Sequence, residues 1–215
     1  GNGYKDIAMS RRLYNNGLIG IAIKSDGSLI MWGDNNHHSH NDLFSYMPTG
    51  NNFKSIYLTN FGIGLTTEGK VIGWGAKEQG FKAMSLEYLP SDSGYKKVYL
   101  DRTGKICLLS STGKIIVIGD DGLISDNVPN KTGYKDMVYD NDTLIALNSN
   151  YKIELFSGTS YRDFDNEFLE YSYSKIISDI TGVLIIGIRK DTNTLFLSNP
   201  HGTNLGNAKL DKEID

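Results

Sequence analysis

At 215 residues the chain has the size of one all-β domain and is long enough to bury a substantial core. Its net charge is −3, with both signs interspersed, so it offers no basic field for nucleic acid or an acidic membrane surface. Its longest apolar run, around Val183–Ile188, is far too short to cross a bilayer, and its single cysteine, Cys107, reads as a buried, inert thiol.

In chain order, the first element is an extended run at YKDIAMS from Tyr4, called strand a. It returns as FKSIYLT from Phe53, YKKVYLD from Tyr95, YKDMVYD from Tyr134 and YSKIISD from Tyr173. The leading aromatics lie 49, 42, 39 and 39 residues apart, and an apolar residue follows each by three positions: Ile7, Ile56, Val98, Met137 and Ile176. Strand b comes next, as LIGIAIK from Leu18, FGIGLTT from Phe61, KICLLSS from Lys105, LIALNSN from Leu144 and VLIIGIR from Val183. Small residues such as Gly20, Gly62, Gly64 and Gly187 punctuate it, which implies close approach by another backbone.

A tight turn follows. Asp26–Gly27, Glu68–Gly69 and Thr112–Gly113 supply the positive φ that a short hairpin needs. Strand c then ends in a slot held by Trp32, Trp74, Ile118, Phe156 and Ser198, spaced by 42, 44, 38 and 42 residues. A weaker strand d ends near Met47–Pro48, Leu89–Pro90 and Val128–Pro129, with Phe168–Glu170 and Lys209–Ile214 as degenerate counterparts. Proline there suits an edge strand, where a ladder donor is dispensable.

Four strands repeated five times predict an all-β fold, a five-bladed β-propeller of four-stranded antiparallel blades. One domain spans 1–215, with repeats near 4–48, 53–90, 95–129, 134–170 and 173–214. The ring is expected to close, Lys209–Ile214 completing the first blade beside Tyr4–Ser10. A start on Gly1 in place of Met reads as a processed chain or a domain of a larger protein or assembly.

The order of aliphatic-Pro, turn, strand, small residue, apolar strand, DG, strand and WG resembles the regulator-of-chromosome-condensation repeat. Residues 47–77, MPTGNNFKSIYLTNFGIGLTTEGKVIGWGAK, carry it most fully, and the last two repeats only loosely. The family's His before the second strand is missing here, and Trp is replaced at Ile118, Phe156 and Ser198. The resemblance implies a rigid interaction scaffold, with Trp32, Gly33, Trp74 and Gly75 in blade packing. Members of the family more often have seven blades.

In such a blade the a–b and c–d loops share one face, and the b–c turns share the other. The irregular insertions RRLYNNG at Arg11–Gly17, NNHHSHN at Asn35–Asn41 and GTSYRDF at Gly158–Phe164 all fall in the first set. Binding residues concentrate on such loops. The candidate partner-binding residues are therefore Arg12, Tyr14, His37, His38, Gln79, Phe81, Arg102, Tyr161 and Arg162. His37, His38, His40 and His201 share this face, but their spacing matches no metal scaffold, so no metal and no cofactor is expected.

No nucleophile-elbow or phosphate-loop motif is present, and Asp140, Asp142, Asp163, Asp165 and Glu167 read as surface acids. The expected function is non-enzymatic recognition of a protein or cell-surface glycan, as a receptor-binding or adhesin domain on a virion or extracellular surface. The alternatives are a GTPase-regulating interaction domain and a carbohydrate-active enzyme, which would need two opposed carboxyls.

Overall fold

Short runs of Ile, Val, Leu and Tyr between turn residues favour strands, because branched and aromatic side chains fit a pleated surface. The computed structural model describes residues 3–11, 18–33, 43–59, 61–75, 83–101, 104–119, 122–124, 128–140, 143–157, 169–178, 185–192 and 195–198. Five sheets form among them, each a meander in chain order. The first holds β1 (Tyr4–Arg11), β2 (Leu18–Lys24) and β3 (Leu29–Gly33); the second holds β4 (Phe53–Leu58), β5 (Phe61–Thr66) and β6 (Val71–Gly75). The third has β7 (Tyr95–Leu100), β8 (Ile106–Ser110), β9 (Ile115–Gly119) and β10 (Gly122–Ile124). The fourth has β11 (Asp136–Asp140), β12 (Thr143–Leu147) and β13 (Ile153–Ser157), and the fifth β14 (Tyr173–Ser178), β15 (Ile185–Arg189) and β16 (Leu195–Ser198).

Strands a, b and c therefore recur as expected, whereas strand d is not found in every repeat among the described residues. Among the described residues only the third sheet has a fourth strand, β10. In the second repeat a short 3-10 helix, Ala83–Tyr88, precedes Leu89–Pro90 instead. Its turns satisfy their own backbone locally, and Leu86 and Leu89 settle over Gly73 on the edge strand β6, where an added Cβ would come within 2.4 Å of Leu86. The expected closing segment Lys209–Ile214 lies outside the described residues.

The chain divides into two compact units, Gly1–Leu100 with Gly104–Ser111 and Val117–Ile124, and Asp101–Thr103 with Thr112–Ile116 and Ser125–Asp215. In the first unit, partners across the ladder define two faces of each sheet. Ile7, Ala22 and Ile30 share one face of the first sheet with Met9, Gly20 and Trp32, here called the rear. Ala8, Ile21, Met31, Ile23 and Leu29 make up the front. The same register places Ile56, Leu58 and Trp74 on the rear of the second sheet. That rear packs on the first sheet's front in one cluster containing Ile19, Ile21, Ile23, Leu29, Ile56, Leu58 and Trp74.

The glycines of strand b make room for side chains rather than for another backbone. A Cβ on Gly62 would lie 2.2 Å from the Trp74 ring, and one on Gly20 would lie 2.4 Å from Trp32. Each indole thus lies flat on its own sheet. Trp74 is buried at 5% exposure, whereas Trp32 keeps 42%.

Successive repeats are stitched by backbone. The carbonyl of the b–c turn accepts the N–H of the next repeat's leading aromatic. In the first unit Gly27 accepts from Phe53 at 3.1 Å and Gly69 from Tyr95 at 3.0 Å; in the second, Gly113 accepts from Tyr134 at 3.1 Å and Tyr151 from Tyr173 at 2.8 Å. Gly27, Gly69 and Gly113 hold the expected positive φ. Tyr151 adopts φ 65° in the equivalent turn, a left-handed conformation that costs a bulky residue about 1 kcal/mol or more.

A carboxylate adds a second stitch. In the first unit Asp6 accepts the N–H of Ile7 at 3.0 Å and that of Ile56, in the next sheet, at 3.1 Å. In the second unit Asp136 repeats the arrangement with Met137 at 2.9 Å and Ile176 at 3.0 Å. In both cases the acid is the third residue of a Tyr-Lys-Asp run.

Two stability measurements test this packing. Trp74→Ala is expected to cost about 3–5 kcal/mol through the cavity it leaves, and Trp32→Ala only roughly 1–2 kcal/mol because less area is buried. Urea titrations giving equal costs would contradict it. Asp136→Ala strands two N–H groups beneath a buried side chain and is expected to cost about 2–3 kcal/mol, with Asp136→Asn recovering part of the loss.

Candidate functional site

In a three-stranded meander the link from a to b and the chain leaving c share one edge. Register fixes that edge in four of the sheets: Arg11 faces Leu18 and Ile19 faces Gly33 in the first, and Leu58 faces Gly62 and Phe61 faces Gly75 in the second. In the fourth sheet Thr143 lies between Asp140 and Ser157, and in the fifth Ile185 lies between Ser178 and Ser198. Arg12 and Tyr14 follow β1, His37 and His38 follow β3, and Gln79 and Phe81 follow β6. Arg102 lies between β7 and β8, and Tyr161 and Arg162 follow β13. All nine lie outside the described residues, as do His40, His201, Asp142, Asp163, Asp165 and Glu167. Of the acids considered, only the main chain of Asp140, at the end of β11, is described. Among the described residues no three His, Cys, Asp or Glu side chains are grouped to hold a metal ion.

At the loop-bearing edge of the second sheet the chain reverses tightly, the Thr59 N–H donating to the Phe61 carbonyl at 2.9 Å. Thr59 Oγ1 and Trp74 Nε1 are both buried there and find no hydrogen-bond partner among the described residues, which is unusual for buried polar atoms.

The opposite edge is closed by turns. Asp26 Oδ1 accepts from the Ser28 N–H at 2.9 Å and the Ser28 hydroxyl at 2.7 Å, which holds its carboxyl below the usual range. Lys70, Lys114 and Lys152 follow such turns, positions expected to be replaceable without effect on binding. Lys152 is not one of them, because its ammonium donates to the Glu170 carbonyl.

In the second unit this edge carries stacked cations. Lys190 Nζ sits 3.5 Å from the Tyr151 ring centre, and the Arg189 guanidinium sits 3.6 Å from that of Tyr171 while pairing with Asp191 at 2.5 Å. The ring of Tyr151, a residue with left-handed backbone, thus packs under a lysine. Nearby, burial pushes the Glu154 carboxyl up, but three donors outweigh it and hold the group below its ordinary value. They are Lys131 at 2.8 Å, Tyr134 Oη at 2.7 Å and Asn148 Nδ2 at 2.9 Å. Burial, then the Glu154 carboxylate, raises Tyr134 in turn. In the first unit, burial and Asp92 push Tyr95 up to about 12. These groups anchor the leading aromatics; they are satisfied structural contacts.

Sequence reasoning missed the Asp6 and Asp136 stitches, although the repeated Tyr-Lys-Asp was a visible signal. It also missed the stacked cations, which depend on side chains from different repeats and leave no local motif.

No protein-family model and no curated protein matches the sequence. Solved structures do match in fold. The CRINKLY WD40 ectodomain of the Arabidopsis thaliana receptor kinase ACR4 aligns over 93% of this chain and 70% of its own, with a TM-score of 0.61 at 16% identity. Kluyveromyces lactis Hsv2 aligns over 93% of this chain with a TM-score of 0.55 at 12% identity, and this chain spans 61% of its length. The β-propeller domain of Myceliophteria thermophila Cps50 (Swd1) aligns over 91% of this chain and 69% of its own, with a TM-score of 0.50 at 10% identity. The fold of this chain is accordingly all-β and propeller-like.

Proposed function

We propose that this chain is a non-enzymatic recognition module, its five sheets being five propeller blades of the regulator-of-chromosome-condensation kind. In this reading the loop-bearing edges bind a protein or a cell-surface glycan, as a receptor-binding or adhesin domain on a virion or extracellular surface. One observation carries it. In the first and fourth sheets the links that hold the Tyr- and Arg-containing insertions leave from one edge, while the other edge is closed by hydrogen-bonded turns.

The repeat residues themselves are committed to packing and stitching: Trp74 to the core, Asp6 and Asp136 to neighbouring strands. What remains for recognition is the loop set. Tyr and Arg dominate interface energies because they bring planar contact area and donors at low entropic cost.

The test is binding of the labelled 215-residue chain to a glycan array and to intact cells. Tyr14→Ala and Tyr161→Ala are each expected to cost about 2 kcal/mol in affinity, roughly 30-fold, with unchanged melting. Lys70→Ala and Lys114→Ala, on the turn edges, are the controls. Binding lost in the lysine variants and kept in the tyrosine variants would place recognition on the wrong edge.

A further inference from the structure

Asparagine is abundant in the sequence, yet only two of its occurrences stand two residues before a Ser or Thr, the spacing of an N-glycosylation acceptor. They are Asn130–Lys131–Thr132 and Asn141–Asp142–Thr143. An acceptor has to stand on an exposed segment outside the ladders, because the attached sugar is bulky and hydrated. The first pattern meets that condition. It lies between β10 and β11, in a stretch, 128–135, that holds no strand or helix, and Asn130, Lys131 and Thr132 are all exposed. In the second pattern Thr143 already opens β12, paired with Asp140 and Ser157, and is half-buried; Asn141 and Asp142 lie outside the described residues.

Contacts within the second unit fix the first pattern in place. Gly133, at φ 93°, donates its N–H to the Thr112 carbonyl at 2.9 Å, and the Tyr134 N–H donates to the Gly113 carbonyl at 3.1 Å. The middle residue is held as well. Lys131 Nζ lies 2.8 Å from Glu154 Oε2 on β13 and 5.3 Å from the centre of the Tyr134 ring. Lys131 is thus tied to the fourth sheet, while its two neighbours, which carry the amide and the hydroxyl that an acceptor needs, are exposed. The bonds to Thr112 and Gly113 also place the segment at the edge closed by turns, not at the edge that carries the long insertions.

We infer that Asn130 is an acceptor for an N-linked glycan. The donor is a lipid-pyrophosphate-linked oligosaccharide and the catalyst a membrane oligosaccharyltransferase. The Asn130 amide nitrogen forms a bond to C1 of the first sugar and the bond from C1 to the pyrophosphate oxygen breaks. The lipid pyrophosphate leaves, and the amide proton passes to a carboxylate of the transferase. Thr132 supplies the hydroxyl that the transferase reads. A glycan at the turn edge leaves the loop-bearing edge clear for recognition. The inference rests on reading the chain as a virion or extracellular-surface domain but on none of its loop residues, so the two can fail separately.

The full chain, secreted from eukaryotic cells behind a cleavable leader, tests it by peptide mass spectrometry before and after treatment with peptide-N-glycosidase. The wild-type peptide that contains residue 130 is expected to carry added sugar mass, which the enzyme removes. Asn130→Gln and Thr132→Ala are expected to lose that mass, whereas Thr132→Ser, which keeps the hydroxyl, and Asn141→Gln are expected to retain it. Both Asn130 and Thr132 are exposed, so melting of their variants should match that of the unmodified wild type. Added mass retained on residue 130 in Tyr14→Ala, whether or not that variant binds a partner, supports the inference independently of the recognition reading. A wild-type peptide without added mass overturns it, as does added mass that survives Thr132→Ala or is found at Asn141 alone.

Discussion

Each sheet of this chain has a rear face that its own strands cannot cover. Three short strands bury little by themselves, and a leading aromatic, an aliphatic residue and an indole or its substitute then stand on one side of the ladder. The hydrophobic cost of leaving that side wet is what forces repeats to stack. At about 25 cal/mol per Å² of apolar surface, a face of several large side chains outweighs any single hydrogen bond in the repeat. Stacking direction is set by polar groups. The turn carbonyl of one repeat takes the first N–H of the next, and Asp6 and Asp136 take an N–H three residues further on. Burial drives the assembly, and these bonds select the register.

This division explains which parts of the fold were legible in the sequence. Strands a, b and c, with the b–c turn, were readable because their period is local: alternation across the pleat, small residues opposite aromatics, and glycine where φ must be positive. β2 begins and ends where the motif from Leu18 does. Strand d was not readable. Aliphatic-Pro marks an end of structure but not its kind, and in the second repeat tertiary packing of Leu86 and Leu89 on Gly73 settled the segment as a 3-10 helix. The role of the strand-b glycines was half readable, since close approach was foreseeable but not that a tryptophan ring made it. Tyr151 marks the opposite limit, a turn formed without the glycine that announces it.

The candidate site was legible only as topology. Alternating connections in a meander put a–b and c–d links at one edge, and that follows from strand order alone. Arg12, Tyr14, Tyr161 and their companions lie outside the described residues. In the second unit the turn edge also holds Lys190 on Tyr151 and Arg189 on Tyr171. Such pairs join residues far apart in sequence, which no local pattern encodes.

Because rear-face burial organises the fold, its most direct measurement uses the two tryptophans, which occupy the same position in the first and second repeats. Acrylamide quenching of Trp32→Phe reports Trp74 alone, and of Trp74→Phe reports Trp32 alone. Trp74 is expected to emit as a buried, protected indole and Trp32 as an accessible one. Equal protection of both indoles would mean that the first rear face is covered as the second is, and would contradict this account.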